Sequence, residues 1–327
     1  MKLTQVLART LIGAAACASL LAQAPASAQG NNQAPIRILV GFPAGGTIDV
    51  VTRLVAEDMH KTLGAPVVVE VLSGAGGQLA AQALKRATPD GHTLMVAPDH
   101  TAVIIPLTLK NPGFDMKTDF APVGMVANYA GALAVSSASG IKDMAGFIAA
   151  AKARPEAGNV GVSAPGSKPQ FQLASLGKQQ GVALNAVPYR GSVPMVQDLA
   201  GGHLTAGITA LGDFLEFDRA GKLKVIALTG DHRSAALPDV PTASEVGYPI
   251  RMNFWIGMFA PAGTPAPTIE RLNKALNTAL DTTYVKARMQ ALVFEPAKGT
   301  PAELGRRVDS EAKQWGPLIE ASGWVKQ

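Results

Sequence analysis

Cysteine is almost missing from this 327-residue chain: the only one is Cys17, close to the N-terminus. A disulfide framework and a thiolate metal site are thereby excluded. Charge is sparse, at 16% of residues, and the formal net charge is only +5. With no basic cluster interleaved with aromatics, a nucleic-acid surface is excluded too. Long apolar runs are lacking; Leu11 to Leu21 is too short to cross a bilayer. Enzyme signatures are also missing. There is no Gly-x-x-x-x-Gly-Lys-Ser/Thr phosphate loop and no Gly-x-Ser-x-Gly nucleophile elbow. His60, His92, His100, His203 and His232 show no metal-ligand spacing. The Gly74-Ala75-Gly76-Gly77 run lacks the third glycine of a dinucleotide fingerprint, and no acid follows at the required distance. No cofactor is expected.

The first residues read as an export signal. Lys2 and Arg9 form a basic start, an apolar stretch follows, and Ala26-Ser27-Ala28 is a cleavage pattern, placing the signal at residues 1–28. Cys17 would leave with it. Removing Lys2 and Arg9 takes the charge from +5 to +3, which is compatible with an anionic ligand. Export without cysteine suits a periplasmic protein that relies on its core. The remaining length suggests two lobes. Hydrophobic residues at 47% supply the core.

The densest information lies between Ile36 and Gly77. Ile36–Val40 reads as a buried parallel strand, and the glycine-rich turn Gly41–Ile48 feeds an amphipathic helix over Val50–Leu63, with Asp49 at its cap. Val67–Val71 is a second strand, and Ser73–Gly77 a second glycine turn before a helix over Gln78–Ala87. Thr93–Ala97 is the third strand, so the order is β-α-β-α-β and the sheet parallel. Residues 106–120 read as irregular, and Val123–Val135 as a crossing strand into a second α/β lobe. That lobe carries two further strand-to-helix turns, 163–168 and 189–192. Glycines at one such turn need mean no more than a tight bend. Four of them at carbonyl ends of strands in two facing lobes make a ligand cleft, where backbone N–H groups and helix dipoles receive an anion.

The same turns carry a family resemblance. Phe42-Pro43-Ala44-Gly45-Gly46-Thr47-Ile48-Asp49 with Arg53, Ser73-Gly74-Ala75-Gly76-Gly77, and Thr88-Pro89-Asp90-Gly91-His92-Thr93-Leu94 resemble the first-lobe signatures of the Bug family. These are the periplasmic substrate-binding proteins of tripartite tricarboxylate transporters (TctC-like). Val187-Pro188-Tyr189-Arg190-Gly191, Asp198-Leu199-Ala200-Gly201-Gly202, Leu237-Pro238-Asp239-Val240-Pro241-Thr242 and Phe259-Ala260-Pro261-Ala262-Gly263-Thr264-Pro265 are similar to later segments in the same order. The resemblance implies an α/β, two-lobed periplasmic binding protein of the type II, flytrap kind. Each lobe would be a mixed, mostly parallel sheet flanked by helices. It also implies a carboxylic acid ligand held by the first two turns, and delivery to permease subunits in the membrane. Where the family commonly has Asn, His and Asp, this chain has Val71, Gln170 and Thr209, with Asp213 near the last.

The expectations are therefore these. Residues 29–126 and 232–327 form lobe 1, and 127–231 form lobe 2. Ligand-binding residues in lobe 1 are Phe42, Ala44, Gly45, Thr47, Asp49, Gly74, Ala75, Gly76 and Gln78. In lobe 2 they are Ser163, Ser167, Gln170, Thr209 and Asp213. Arg190 is read as a solvated turn residue, Lys168 as exposed, and Trp255 and Trp315 as core. The chain is expected to be a monomeric carrier. A periplasmic sensor and a periplasmic enzyme acting on a carboxylic acid are the alternatives.

Overall fold

The computed structural model describes residues 34–327, so the expected export signal lies outside the described residues. Ten strands and ten α-helices occupy that span. The first half runs β1 (Ile36–Val40), α1 (Thr47–Leu63), β2 (Val67–Val71), α2 (Gln78–Lys85), β3 (Thr93–Pro98), α3 (Ile105–Thr108) and β4 (Phe120–Ser136). A π-turn over His100–Ile104 leads into α3, where the sequence suggested an irregular segment. Then come α4 (Met144–Ala153), β5 (Asn159–Val162), α5 (Lys168–Gln180), β6 (Asn185–Pro188), α6 (Ser192–Ala200), β7 (Ala206–Ala210), α7 (Leu211–Arg219) and β8 (Leu223–Leu228). The chain closes with β9 (Asn253–Pro261), α8 (Ala266–Asp281), α9 (Thr283–Ala291), β10 (Phe294–Pro296) and α10 (Pro301–Ala321).

The strands follow the order β2-β1-β3-β9-β4-β7-β5-β6, with β8 and β10 also on β4. Parallel pairing holds β1 to β2 and β3, as the buried Ile-x-Ile-Leu-Val run predicts. Parallel pairing recurs where β5 joins β6 and β7. β4 is the shared strand of the two lobes. Up to Ala130 it pairs antiparallel with β9, and from Gly131 onward with β7 and β8. Gly131 suits this handover because a Cβ there would meet Phe254 at 2.5 Å and Thr229 at 2.6 Å.

The first lobe's core sets α1 (Val51, Leu54, Val55, Met59) against α8 (Leu272, Leu276) over β1 and β3. Burying each such side chain contributes about 1.5–3 kcal/mol. α1 begins at Thr47, earlier than the apolar spacing indicates. Gly46 is its N-cap, so Asp49 sits in the first turn and is not the cap. Gly64 closes the helix in the left-handed conformation, at φ 68°. Trp255 and Trp315 are buried.

Candidate functional site

The two glycine turns of the first lobe brace each other. A Cβ on Gly41 would sit 2.4 Å from the Cα of Gly77, so the turns touch backbone to backbone. Asp49 holds the first turn together. Its carboxylate accepts the Gly45 N–H at 2.9 Å and pairs with Arg53 at 2.9 Å. Ala44 and Gly45 are exposed, and Gly45 faces an outer groove. In the second turn Gly76 and Gly77 have φ of +66° and +97°. Side chains there would also collide: a Cβ on Gly76 lies 2.6 Å from His100 Nε2, and one on Gly77 lies 2.4 Å from Thr101 Oγ1. Thr101 donates to the Gly76 carbonyl at 2.8 Å. The glycines thus make room for the turn that follows β3.

One cavity lies beside these turns, lined from both lobes. Phe42, Thr47 and Ile48 come from the first turn and α1, and Asp99 and His100 from the end of β3. Ser163, Ser167, Lys168, Ser192, Val193, Thr209 and Asp213 come from the second lobe, while Tyr129, Phe254 and Phe294 add an aromatic wall. Tyr129 stacks on Phe254 with ring centres 5.3 Å apart and lies 4.8 Å from Phe294. The cavity offers about 70 Å³ to water centres, room for roughly five waters.

Four helices start at this cavity. α1, α5 and α6 begin at Thr47, Lys168 and Ser192, and Asp213 stands in the first turn of α7. Helix first turns present N–H groups and the positive ends of their dipoles to the space between them. Asp213 already exploits this. Its carboxylate accepts hydrogen bonds from Thr47 Oγ1 and from Thr209 Oγ1, the latter at 2.9 Å. Ser192 and the Thr47 backbone N–H also donate to it. Burial raises the Asp213 pKa, and these donors oppose the rise. Thr47 follows β1 and Asp213 follows β7, so this cluster ties the two lobes together across the cavity.

A second cluster forms the opposite wall. Lys168, expected to be exposed, is 2% exposed. Its ammonium pairs with Asp99, with Glu311 of α10 at 2.8 Å, and with the Asn253 carbonyl at 3.4 Å. Phe254 and Trp315 place their rings 5.8 and 5.3 Å from it. The expectation failed because the partners lie far away in sequence. Burial alone would lower the Lys168 pKa, but Asp99 and Glu311 raise it above the usual lysine value. Asp99 is pushed up to about 6, by burial first and by the Glu311 charge, against the pull of Lys168. Burial, aided by Lys168, holds His100 down at about 4, so its ring is neutral at pH 7. His100 Nδ1 and Ser167 Oγ are buried without a hydrogen-bond partner.

Of the residues singled out from sequence, Phe42, Thr47, Ser163, Ser167, Thr209 and Asp213 meet around this cavity. Ala44, Gly45, Asp49, Gly74, Ala75, Gly76, Gln78 and Gln170 are not among its lining residues. Gln78 donates to the Pro112 carbonyl at 2.8 Å. Gln170 accepts the Gly166 N–H at 2.9 Å. Arg190 is exposed. Asp99, His100, Lys168, Ser192 and the aromatic wall were missed. The rule that ligands sit at the carbonyl ends of strands, applied to the third strand, points to Asp99 and His100.

Comparison with known proteins gives a consistent result. The family model described as the tripartite tricarboxylate transporter family receptor matches residues 51–324. The chain is 33% identical to protein BugT of Bordetella pertussis, over 92% of this chain and 93% of that one. Among solved structures it resembles the periplasmic binding protein BugD, with TM-score 0.84 and 31% identity over 90% of this chain and 99% of that one. It also resembles a protein of R. palustris with adipate, with TM-score 0.84 and 30% identity, covering 88% and 97% of the two chains.

Proposed function

The chain belongs to the tripartite tricarboxylate transporter receptor family, and from that premise we propose that it captures a small carboxylate-bearing ligand between its lobes and hands it to the permease subunits of such a transporter. The carrying observation is the convergence of four helix N-terminal turns on one cavity lined from both lobes. This arrangement receives a carboxylate through backbone N–H groups. The adipate in the similar R. palustris structure supports an acid as ligand. Ser163 and Ser167 are the hydroxyls that donate to the ligand; Thr47 and Thr209, whose protons go to Asp213, offer it their oxygens as acceptors, Phe42 is a wall, and Asp213 accepts a hydroxyl or ammonium group. The exposed Ala44–Gly45 turn joins through its backbone. Asp49, Gln78, Gln170 and the second glycine turn act as the frame that holds the first turn and the lobe edges in place.

Release and capture use a hinge. β4 and the segment between β8 and β9 are the crossings, so residues 29–126 and 232–327 move as one lobe and 127–231 as the other. The chain works as a monomer in the periplasm, delivered there by residues 1–28, and it returns the acid chemically unchanged. The test is a thermal-shift screen of refolded, ligand-free protein against small mono-, di- and tricarboxylates, aromatic acids and acidic amino acids. A ligand at a hundred times its Kd stabilises the fold by about 2.7 kcal/mol. A shift confined to acids, with the acid recovered intact, supports the proposal. A shift only with non-acids, or turnover of the bound acid, overturns it.

A further inference from the structure

We propose that the cleft is selective for acids with a single carboxylate, and that Asp99, fixed by Lys168, is the residue that rejects a second one. This rests on the reading of the cleft as an acid site and names the class of acid. Among the described residues Lys168 is the only lysine or arginine that lines the cavity. An ammonium has three N–H donors. Those of Lys168 are engaged by Asp99, by Glu311 at 2.8 Å, and by the Asn253 carbonyl at 3.4 Å. Glu311 is further held by Arg307 at 3.0 Å.

A ligand carboxylate therefore finds no free cationic side chain. One carboxylate is served by the helix N-terminal turns. A second, on the same small molecule, would face Asp99 or Asp213, both lining the same space. The buried groups still uncommitted are Ser167 Oγ and His100 Nδ1, which are neutral hydrogen-bonding groups. The rest of the wall is Phe42, Val193, Phe254 and Phe294, with the hydroxyls of Ser163 and Tyr129, which are neutral groups and carry no charge to offset a second carboxylate. Such a wall suits a hydrocarbon body carrying at most a hydroxyl or ammonium. A like charge placed against a buried carboxylate is a built-in rejection of the wrong partner.

Titration calorimetry of the refolded chain at pH 7.5 tests this with pairs that share a carbon skeleton: butyrate and succinate, hexanoate and adipate, p-toluate and terephthalate. In every pair that binds, the monoacid should bind at least about tenfold more tightly than the diacid. Asp99→Asn frees one Lys168 donor and removes one negative charge, so the diacids should gain affinity until the preference is lost or inverted. A gain of binding is not something a merely weakened fold produces. A diacid that binds wild type as tightly as its partner monoacid overturns the inference and leaves the acid-binding function standing. An unchanged ratio in D99N removes Asp99 from the role. Binding of none of the six acids overturns the inference, and the acid-binding function is then decided by the wider thermal-shift screen, which includes tricarboxylates and acidic amino acids. If D99N fails to fold, the wild-type pairs still decide.

Discussion

Replacing Lys168 with Met tests how the second wall of the cleft is held. The ammonium is 2% exposed and sits between the Asp99 and Glu311 carboxylates. Met keeps an unbranched stem of similar length but removes the charge, and with it the ammonium that lies over the Phe254 and Trp315 rings. Removing one member of a buried ion pair costs about 3–5 kcal/mol, because the remaining charges stay desolvated and uncompensated. For a chain of this size that is a fall in Tm of roughly 6–10 °C. The effect must depend on pH. Asp99 is raised to about 6 with Lys168 present, and without the ammonium it rises further. Protonating it removes the uncompensated charge, so the gap between K168M and wild type is widest near pH 7.5 and narrows toward pH 5. Glu311 keeps Arg307 at 3.0 Å and accounts for less of the loss. Adding Asp99→Asn to K168M should recover at least about 1 kcal/mol, since the orphaned carboxylate is then gone. Calorimetric melting at both pH values reads all of this. A K168M protein within about 2 °C of wild type at pH 7.5, with no dependence on pH, would refute the reasoning.

Three further outcomes follow from the geometry. Wild-type stability should fall as pH rises from about 4 to about 6. Asp99 binds its proton more tightly folded than unfolded, with its pKa raised from 3.8 to about 6, so its stabilising contribution is complete below 3.8 and is lost through that window. D99N should lack that component of the melting profile. Gly76→Ala should cost about 1–3 kcal/mol, because φ is +66° and the new Cβ would lie 2.6 Å from His100 Nε2. Gly45→Ala, at φ +78° with open space around it, should cost only the backbone strain of about 1 kcal/mol; equal losses at the two sites in chemical denaturation would contradict the packing described. Thr300→Ala removes the capping box of α10, in which Thr300 Oγ1 accepts the Glu303 N–H at 3.3 Å and Glu303 accepts the Thr300 N–H at 2.6 Å. A loss of about 1 kcal/mol is expected, and no loss in a urea titration would show the cap to be idle.

The strand-turn-helix units were legible in the sequence because they are local. Ile36–Val40 is an apolar run, the glycines after it permit the turn, and Gly64 ends the helix. The crossing strand was visible as a long apolar segment rich in small residues, since β4 is buried through most of its 17 residues. What sequence did not disclose was set by contacts between distant positions. A lone lysine before a proline, at a helix start, reads as surface. Lys168 is buried only because Asp99 from β3 and Glu311 from α10 converge on it. The second glycine turn looked like an anion loop for a good local reason, yet its glycines are required by the His100–Thr101 turn packed over it. Asp49 looked like a cap because the apolar spacing begins after it. The helix starts earlier, at Thr47, since the Asp49 carboxylate reaches back to the Gly45 N–H.

The central claim is that an acid's carboxylate lies at the convergence of helix N-terminal turns. A crystal structure of the refolded protein with its tightest-binding acid tests this most directly. The account predicts the carboxylate within hydrogen-bonding distance of the first turns of α1, α5 or α6, with the rest of the molecule against Phe254 and Phe294. An acid found with its carboxylate paired to Lys168 in place of Asp99, or bound outside this cavity, would contradict it.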